Sequence, residues 1–335
     1  MGRLILAKVS DLGKLNLKKM KLNVKLVQIN SELGAGTRGA SGGFRGLVKA
    51  AISKKSNLFD QLDSIIVPHA NDALEDPVVF QFSKRVIALL QVFKDVCNSV
   101  KYVLQLGGKF PVVLAGDHST AIGTIAGVKG AFPSQRVGVI WIDAHADIHT
   151  PYTTPSGNMH GMPIAASLNL DNKLDEGNNP NSIVVDCWNE IKNLAGISPK
   201  VSVNDIVYIG VRDTEWQEDK LIDEYKIKNF TVDEVRGLGV KQAVLSVLSS
   251  LSSTDVIYIS YDVDVLDPSQ SRGTGTPVDK GFLLHEVKEM IGELISDPKV
   301  KCFEIVEINP GLDDKGNKMA EMALEVLEIV VAAKG

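Results

Sequence analysis

The chain has 335 residues, 44% of them apolar and 23% charged, with a net charge of −5. That length allows one large domain or two ordinary ones, and the balance is that of a soluble globular protein. It excludes an electropositive nucleic-acid footprint, and no apolar run approaches the length of a membrane span.

In chain order, "KLNLKKMKLNVK" (14–25) reads as a solvated basic segment before the first strand. Charge interrupts the apolar core that a signal peptide would need. Strands are expected at 24–29, 64–69, 110–116, 136–142, 205–211, 255–261 and 302–308, all rich in β-branched residues. Helical patterns fall between them, at 83–106, 119–130, 181–195, 240–251, 283–296 and 319–334. Continuous apolar strands alternating with helices predict an α/β fold with a mainly parallel sheet covered on both faces. The polar stretch 171–182 reads as a surface loop, and no linker appears, so 1–335 is expected to be a single domain. Cys97, Cys187 and Cys302 are too sparse for a disulfide framework, which points to a reducing, cytoplasmic setting.

"GAGTRG" (34–39) after the first strand fits G-x-G-x-x-G, with Asp60 at a suitable distance. A lone fingerprint carries little weight. The glycines continue through Gly42, Gly43 and Gly46, which predicts a flexible loop over a site rather than a tight turn into a helix.

In an open parallel sheet, ligands bind beyond the carboxyl ends of the strands. Four predicted strands end in titratable groups: Asp117 and His118; Asp143, His145 and Asp147; Asp262, Asp264 and Asp267; Glu307 with Asn309. The two-residue spacing of Asp143, His145 and Asp147 would put them on one face of an extended segment. Crowded carboxylates repel unless a cation neutralises them. Ligands of the O and N type without thiolate suit Mn²⁺, Mg²⁺, Fe²⁺ or Zn²⁺. Six candidates, His118, Asp143, His145, Asp147, Asp262 and Asp264, exceed what one open metal site takes from protein and fit a bridged pair, which would activate water for hydrolysis. Alone, any one of these aspartates would read as an N-cap or turn former.

"AGDHS" (115–119), "DAHAD" (143–147), "SGNMHG" (156–161), "SYDVDVLDP" (260–268), "GTGTP" (273–277) and "EINP" (307–310) resemble, in order, the signature blocks of the arginase family of ureohydrolases. The resemblance spans about residues 25–330. It implies a three-layer α/β/α arginase fold, two Mn²⁺ per subunit, a small guanidino substrate and a homotrimer or homohexamer. It assigns His118, Asp143, Asp147 and Asp262 to the first metal, and His145, Asp143, Asp262 and Asp264 to the second. The catalytic candidates become Asp147, His160 as a proton shuttle, and Glu307 as the partner of the guanidinium.

For the rest of the substrate, the resemblance assigns Ser156 and Asn158 to an α-carboxylate and Asp213, Glu215 and Glu218 to an α-amino group, with Thr276 a hydroxyl near the guanidinium. Two positions depart from the family. Glu215 stands where arginases usually carry aspartate, and His149 where they usually carry an asparagine that helps recognise the carboxylate; the histidine retains one hydrogen bond to give. The expectation is hydrolysis of L-arginine to L-ornithine and urea. The alternatives are agmatinase, a guanidino-acid hydrolase, formiminoglutamase, or a non-catalytic binding protein of this fold.

Overall fold

A computed structural model describes residues 22–335. Most of the basic segment expected at 14–25 therefore lies outside the described residues. In chain order the elements are β1 (Val24–Ile29), α1 (Gly43–Ser53), α2 (Leu58–Gln61), β2 (Asp63–Val67), α3 (Val86–Gln105) and β3 (Phe110–Ala115). Then come α4 (Ala121–Ala131), β4 (Val137–Ile142), α5 (Pro163–Leu168), α6 (Ser182–Lys192), β5 (Ile206–Ile209), α7 (Trp216–Tyr225) and β6 (Lys228–Phe230). The chain ends with α8 (Val232–Leu238), α9 (Val240–Ser250), β7 (Val256–Asp262), α10 (Leu284–Ile295), β8 (Val300–Val306) and α11 (Lys318–Lys334).

The eight strands form one sheet in the order β2-β1-β3-β8-β7-β4-β5-β6, and every pairing is parallel. Parallel strands need crossover helices, and these cover both faces, so the central strands carry apolar side chains on each side. All of "VGVIWI" in β4 is buried. On one face Phe93, Ile125, Trp188 and Leu221, from α3, α4, α6 and α7, join one apolar cluster; on the other Leu47, Val244, Ile291 and Leu327, from α1, α9, α10 and α11, join a second. The result is the expected three layers.

Register levels the carboxyl ends of the central strands. Ile142 of β4 sits opposite Tyr261 of β7, Asp262 opposite Val306 of β8, and Leu114 of β3 opposite Ile305. The loops leaving β3, β4, β7 and β8 therefore begin at one edge, where the sheet's order reverses.

Two expectations change. The eighth strand, β6, was not apparent: it has three residues and lies half-exposed at the sheet edge. The glycine-rich run is not a flexible loop throughout, because α1 begins at Gly43. Residues 34–39 are pinned: the Glu32 carboxylate accepts from the amides of Gly39 and Ser41 at 2.8 Å each, and Asn309 Nδ2 donates to the Arg38 carbonyl at 2.9 Å. Glycine serves close approach here. A Cβ on Gly43 would lie 2.8 Å from the Ile308 carbonyl oxygen, and one on Gly46 would lie 2.8 Å from Pro310 Cγ.

Candidate metal centre and head-group pocket

Beyond β3, the chain turns through a single 3₁₀ turn at His118–Thr120. The Asp117 carboxylate holds this turn by accepting from the amides of Gly34 at 3.0 Å and Ser119 at 2.9 Å. His118 is buried, its ring stacked on Trp141 of β4 with centroids 4.0 Å apart and planes within 3°. Its Nε2 lies 2.7 Å from Ser260 Oγ of β7. Nδ1 is thereby aimed outward, 2.9 Å from Asp143 Oδ2, 3.1 Å from Asp262 Oδ2 and 3.2 Å from Asp147 Oδ2.

Asp143, Asp262 and Asp264 share a pattern. One oxygen of each accepts a backbone amide: His145 N to Asp143 at 2.7 Å, Ala144 N to Asp264 at 3.1 Å, Asp264 N to Asp262 at 2.8 Å. The other oxygen points into the cluster. Thr276 Oγ1 donates to Asp264 Oδ2 at 3.1 Å, so this hydroxyl supports a carboxylate. His145 Nδ1 lies 3.0 Å from Asp264 Oδ2 and 3.5 Å from Asp143 Oδ1. Asp143, His145 and Asp147 do not share one extended face, because Asp147 takes a left-handed φ of 50° and the run bends there. They converge through that bend, and a non-glycine residue in this conformation costs strain of order 1–3 kcal/mol.

Two ligand groups result: His118, Asp143 and Asp262, and Asp143, His145 and Asp264, with the ligand atoms of each within 4.8 Å of one another. The fit to cations rests on their unpaired atoms. His118 Nδ1 and Asp143 Oδ2 are buried and close, yet neither makes a hydrogen bond. Burial, then repulsion from Asp264 and Asp143, pushes the Asp262 carboxyl well above the usual range. Burial and repulsion from Asp143 likewise raise Asp147 to about 6. These groups fit a pair of divalent cations, with Asp143 common to both groups.

His160 and Glu307 sit beside this centre. Glu307 follows β8 with a left-handed φ of 64°. Its Oε1 accepts from the His118 amide at 3.0 Å and lies 3.2 Å from His160 Nδ1, which leaves Oε2 uncommitted. Burial opposes the charge on His160, but the hydrogen bond to Glu307 and its charge prevail and raise the imidazole to about 9.

A cavity of about 280 Å³ opens over the metal ligands and is lined further out by Thr154, Ser156, Asn158, Asp213, Glu215 and Glu218. Ser156 Oγ accepts the Asn158 amide at 3.1 Å. Lys84 Nζ donates to Asn158 Oδ1 at 3.0 Å, which turns the donor end, Nδ2, toward Gly36. Asp213 Oδ2 lies 3.6 Å from His145 Nε2. Glu218 is buried and accepts from the amides of Ile148 at 3.2 Å and Glu215 at 3.1 Å. Burial and the neighbouring Glu215 raise its carboxyl well above the usual range. Glu218 therefore spends its oxygens on backbone.

His149 is also buried, and both its ring nitrogens are engaged. Nδ1 lies 3.1 Å from Thr153 Oγ1, and Nε2 lies 3.0 Å from Glu215 Oε2. The hydrogen bond expected to be left for a ligand is already used. That bond to the imidazole lowers the Glu215 carboxyl below the usual range.

Three residues of this neighbourhood went unnoticed in the sequence. Ser260 gives a signal, being a polar residue two positions before Asp262 in an apolar strand. Trp141 and Lys84 give none, because the contacts that make them matter are set by the fold.

The fold and site define a class: a three-layer α/β/α protein with paired histidine–aspartate clusters at the carboxyl edge of a parallel sheet. A family model described as the arginase family matches residues 23–332. Arginase of Brevibacillus brevis is 33% identical over 94% of this chain and 99% of its own length. That of Bacillus caldovelox is 38% identical over 72% of this chain and 74% of its own. The crystal structure of the latter superposes with a TM-score of 0.78, covering 92% of this chain and 98% of that one. The chain belongs to the arginase family, and so to the hydrolases acting on amidine C–N bonds.

Proposed function

We propose that this protein hydrolyses the guanidinium group of L-arginine to L-ornithine and urea, as a single catalytic domain using two Mn²⁺. The observation that carries this reading is the pocket itself. Imidazoles and carboxylates suited to two cations line it, together with donors at Ser156 and Asn158 and acids at Asp213 and Glu215. An α-amino acid presents the complementary pair of charges.

His118, Asp143, Asp147 and Asp262 would hold one cation, and Asp143, His145, Asp262 and Asp264 the other. Bound there, the pair would supply Lewis acidity and lower the pKa of a shared water. The chain's own groups do the rest. Glu307 Oε2 offers an anionic acceptor to the guanidinium. His160, raised to about 9, holds its proton at neutral pH and delivers it to the departing amine. Cytoplasmic residence and a homotrimer or homohexamer belong to the same reading; no helix among the described residues is long and apolar enough to cross a membrane.

Urea release by the Mn²⁺-loaded protein from arginine, agmatine, guanidinobutyrate and guanidinopropionate tests it, with formiminoglutamate scored by formamide. Arginine is expected to be turned over best; another compound outrunning it would reject the choice. The second reading is another ureohydrolase (agmatinase, guanidino-acid hydrolase or formiminoglutamase). It is favoured by the engagement of both His149 nitrogens, which takes one donor from the carboxylate. A protein that holds metal and hydrolyses none of the panel would be a binding protein of this fold.

A further inference from the structure

His149 and Glu215 both line the cavity, and they touch each other. The ring is buried and fixed from both ends, by Thr153 Oγ1 at 3.1 Å and Glu215 Oε2 at 3.0 Å. Glu215 reaches it from the start of α7, across 66 residues of sequence. Its side chain is 52% exposed and lines the cavity, so it can meet a ligand, whereas the imidazole behind it has no nitrogen left to offer. The extra methylene of glutamate lets the carboxylate span the distance to the ring.

The donors for a carboxylate are other residues of the same cavity, Ser156 and Asn158. Lys84 occupies Asn158 Oδ1, which leaves Nδ2 as its donor end, and Ser156 Oγ accepts the Asn158 amide. The two charges of an amino-acid head group are thus met by different residues. We propose that His149 acts on the substrate through Glu215: the imidazole holds that carboxylate as the acceptor for the α-ammonium, and the two residues form one specificity unit. The inference rests on the amino-acid reading given above. It makes His149 a positioning residue for the ammonium, not a receptor for the carboxylate.

Three guanidino compounds separate these roles: arginine, agmatine (no carboxylate) and 5-guanidinopentanoate (no ammonium). In His149→Asn, kcat/KM for arginine should fall about tenfold through KM, the loss of one charge-assisted contact. The preference for arginine over 5-guanidinopentanoate should shrink by the same factor, with the preference over agmatine unchanged. Glu215→Gln should do likewise, and the double variant should lose no more than the worse single one. Collapse of the preference over agmatine, losses that multiply, or no change in either preference would each overturn the proposal.

If the wild type releases urea from none of the three, the functional reading fails, and the coupling is decided without turnover. In Zn²⁺-loaded protein with ¹⁵N-labelled histidine, Glu215→Gln should displace the Nε2 resonance that His149→Asn removes. An unmoved resonance would overturn the unit on its own.

Discussion

Asp143, Asp262 and Asp264 each give one oxygen to a backbone amide and point the other inward, so their aim is set by the chain before any ligand arrives. Asp143 belongs to both ligand groups. Asp143→Ala should therefore strip metal and activity together, with metal analysis falling to less than half of wild-type occupancy; full occupancy would refute the shared role. His160 is different, since its ring bonds Glu307 and it belongs to neither ligand group. His160→Ala should keep its metal and lose about 10²–10⁴-fold in turnover, the usual worth of a general acid. The same histidine predicts a pH effect. Its folded value of about 9 exceeds the ordinary 6.5, so its ion pair stabilises fully below about pH 6.5 and the gain is lost as pH rises through about 9. The melting-temperature gap between wild type and His160→Asn should close across that window; a gap independent of pH would contradict the pairing. The six candidate ligands could be picked out in the sequence because residue type alone carries metal chemistry, and five of them, all but Asp147, fall in the two clusters. The place of His149 was not, because its partner comes from another loop and no spacing rule links positions 149 and 215.

Elements follow the same division. Seven apolar strands could be read from composition: six are buried almost throughout, and a parallel strand covered on both faces has one pattern and few rivals, while edge strand β2 carries the same β-branched run though it is largely exposed. Short β6 lacks it. Helix α7 was hidden for another reason: its N-cap is Glu215, outside the usual Ser, Thr, Asp and Asn set, and Glu218 three residues later looked like chemistry rather than capping. Both readings have substance, because one carboxylate bridges amides while the other meets His149. Helix α1 was masked by glycines that suggest flexibility but in fact let it lie on the loop after β8. Gly43→Ala would push a Cβ to 2.8 Å from the Ile308 carbonyl oxygen, next to Glu307. It should cost about 1–3 kcal/mol of stability, as overpacking does. Chemical denaturation checks this, and a variant as stable as wild type would show that the helix can shift without cost.

At the scale of the whole molecule, the strand order matters more than any one loop. Because β7 and β8 insert between β3 and β4, the chain's late segments bring Asp262, Asp264 and Glu307 to the edge where its early segments leave His118 and Asp143. Charge concentrated there works against folding when no cation is bound. Three of the centre's four acids have folded values above the ordinary 3.8, Asp147 at about 6 and Asp262 and Asp264 raised as well, whereas for Asp143 burial is outweighed by hydrogen bonds and charge from His118 and His145, which hold it below. For a carboxyl raised in this way the folded state binds the extra proton, so stability falls as pH climbs from about 4 through about 6. Bound metal reverses the trend, since it needs these groups deprotonated and its affinity grows with pH. Its stabilisation at a hundredfold excess over Kd is about 2.7 kcal/mol. The melting temperature of chelator-treated protein should therefore drop between pH 5 and 7, that of Mn²⁺-loaded protein should hold or rise, and the gap should widen with pH. Parallel curves would mean that the crowded carboxylates do not depend on a cation for their place in the fold.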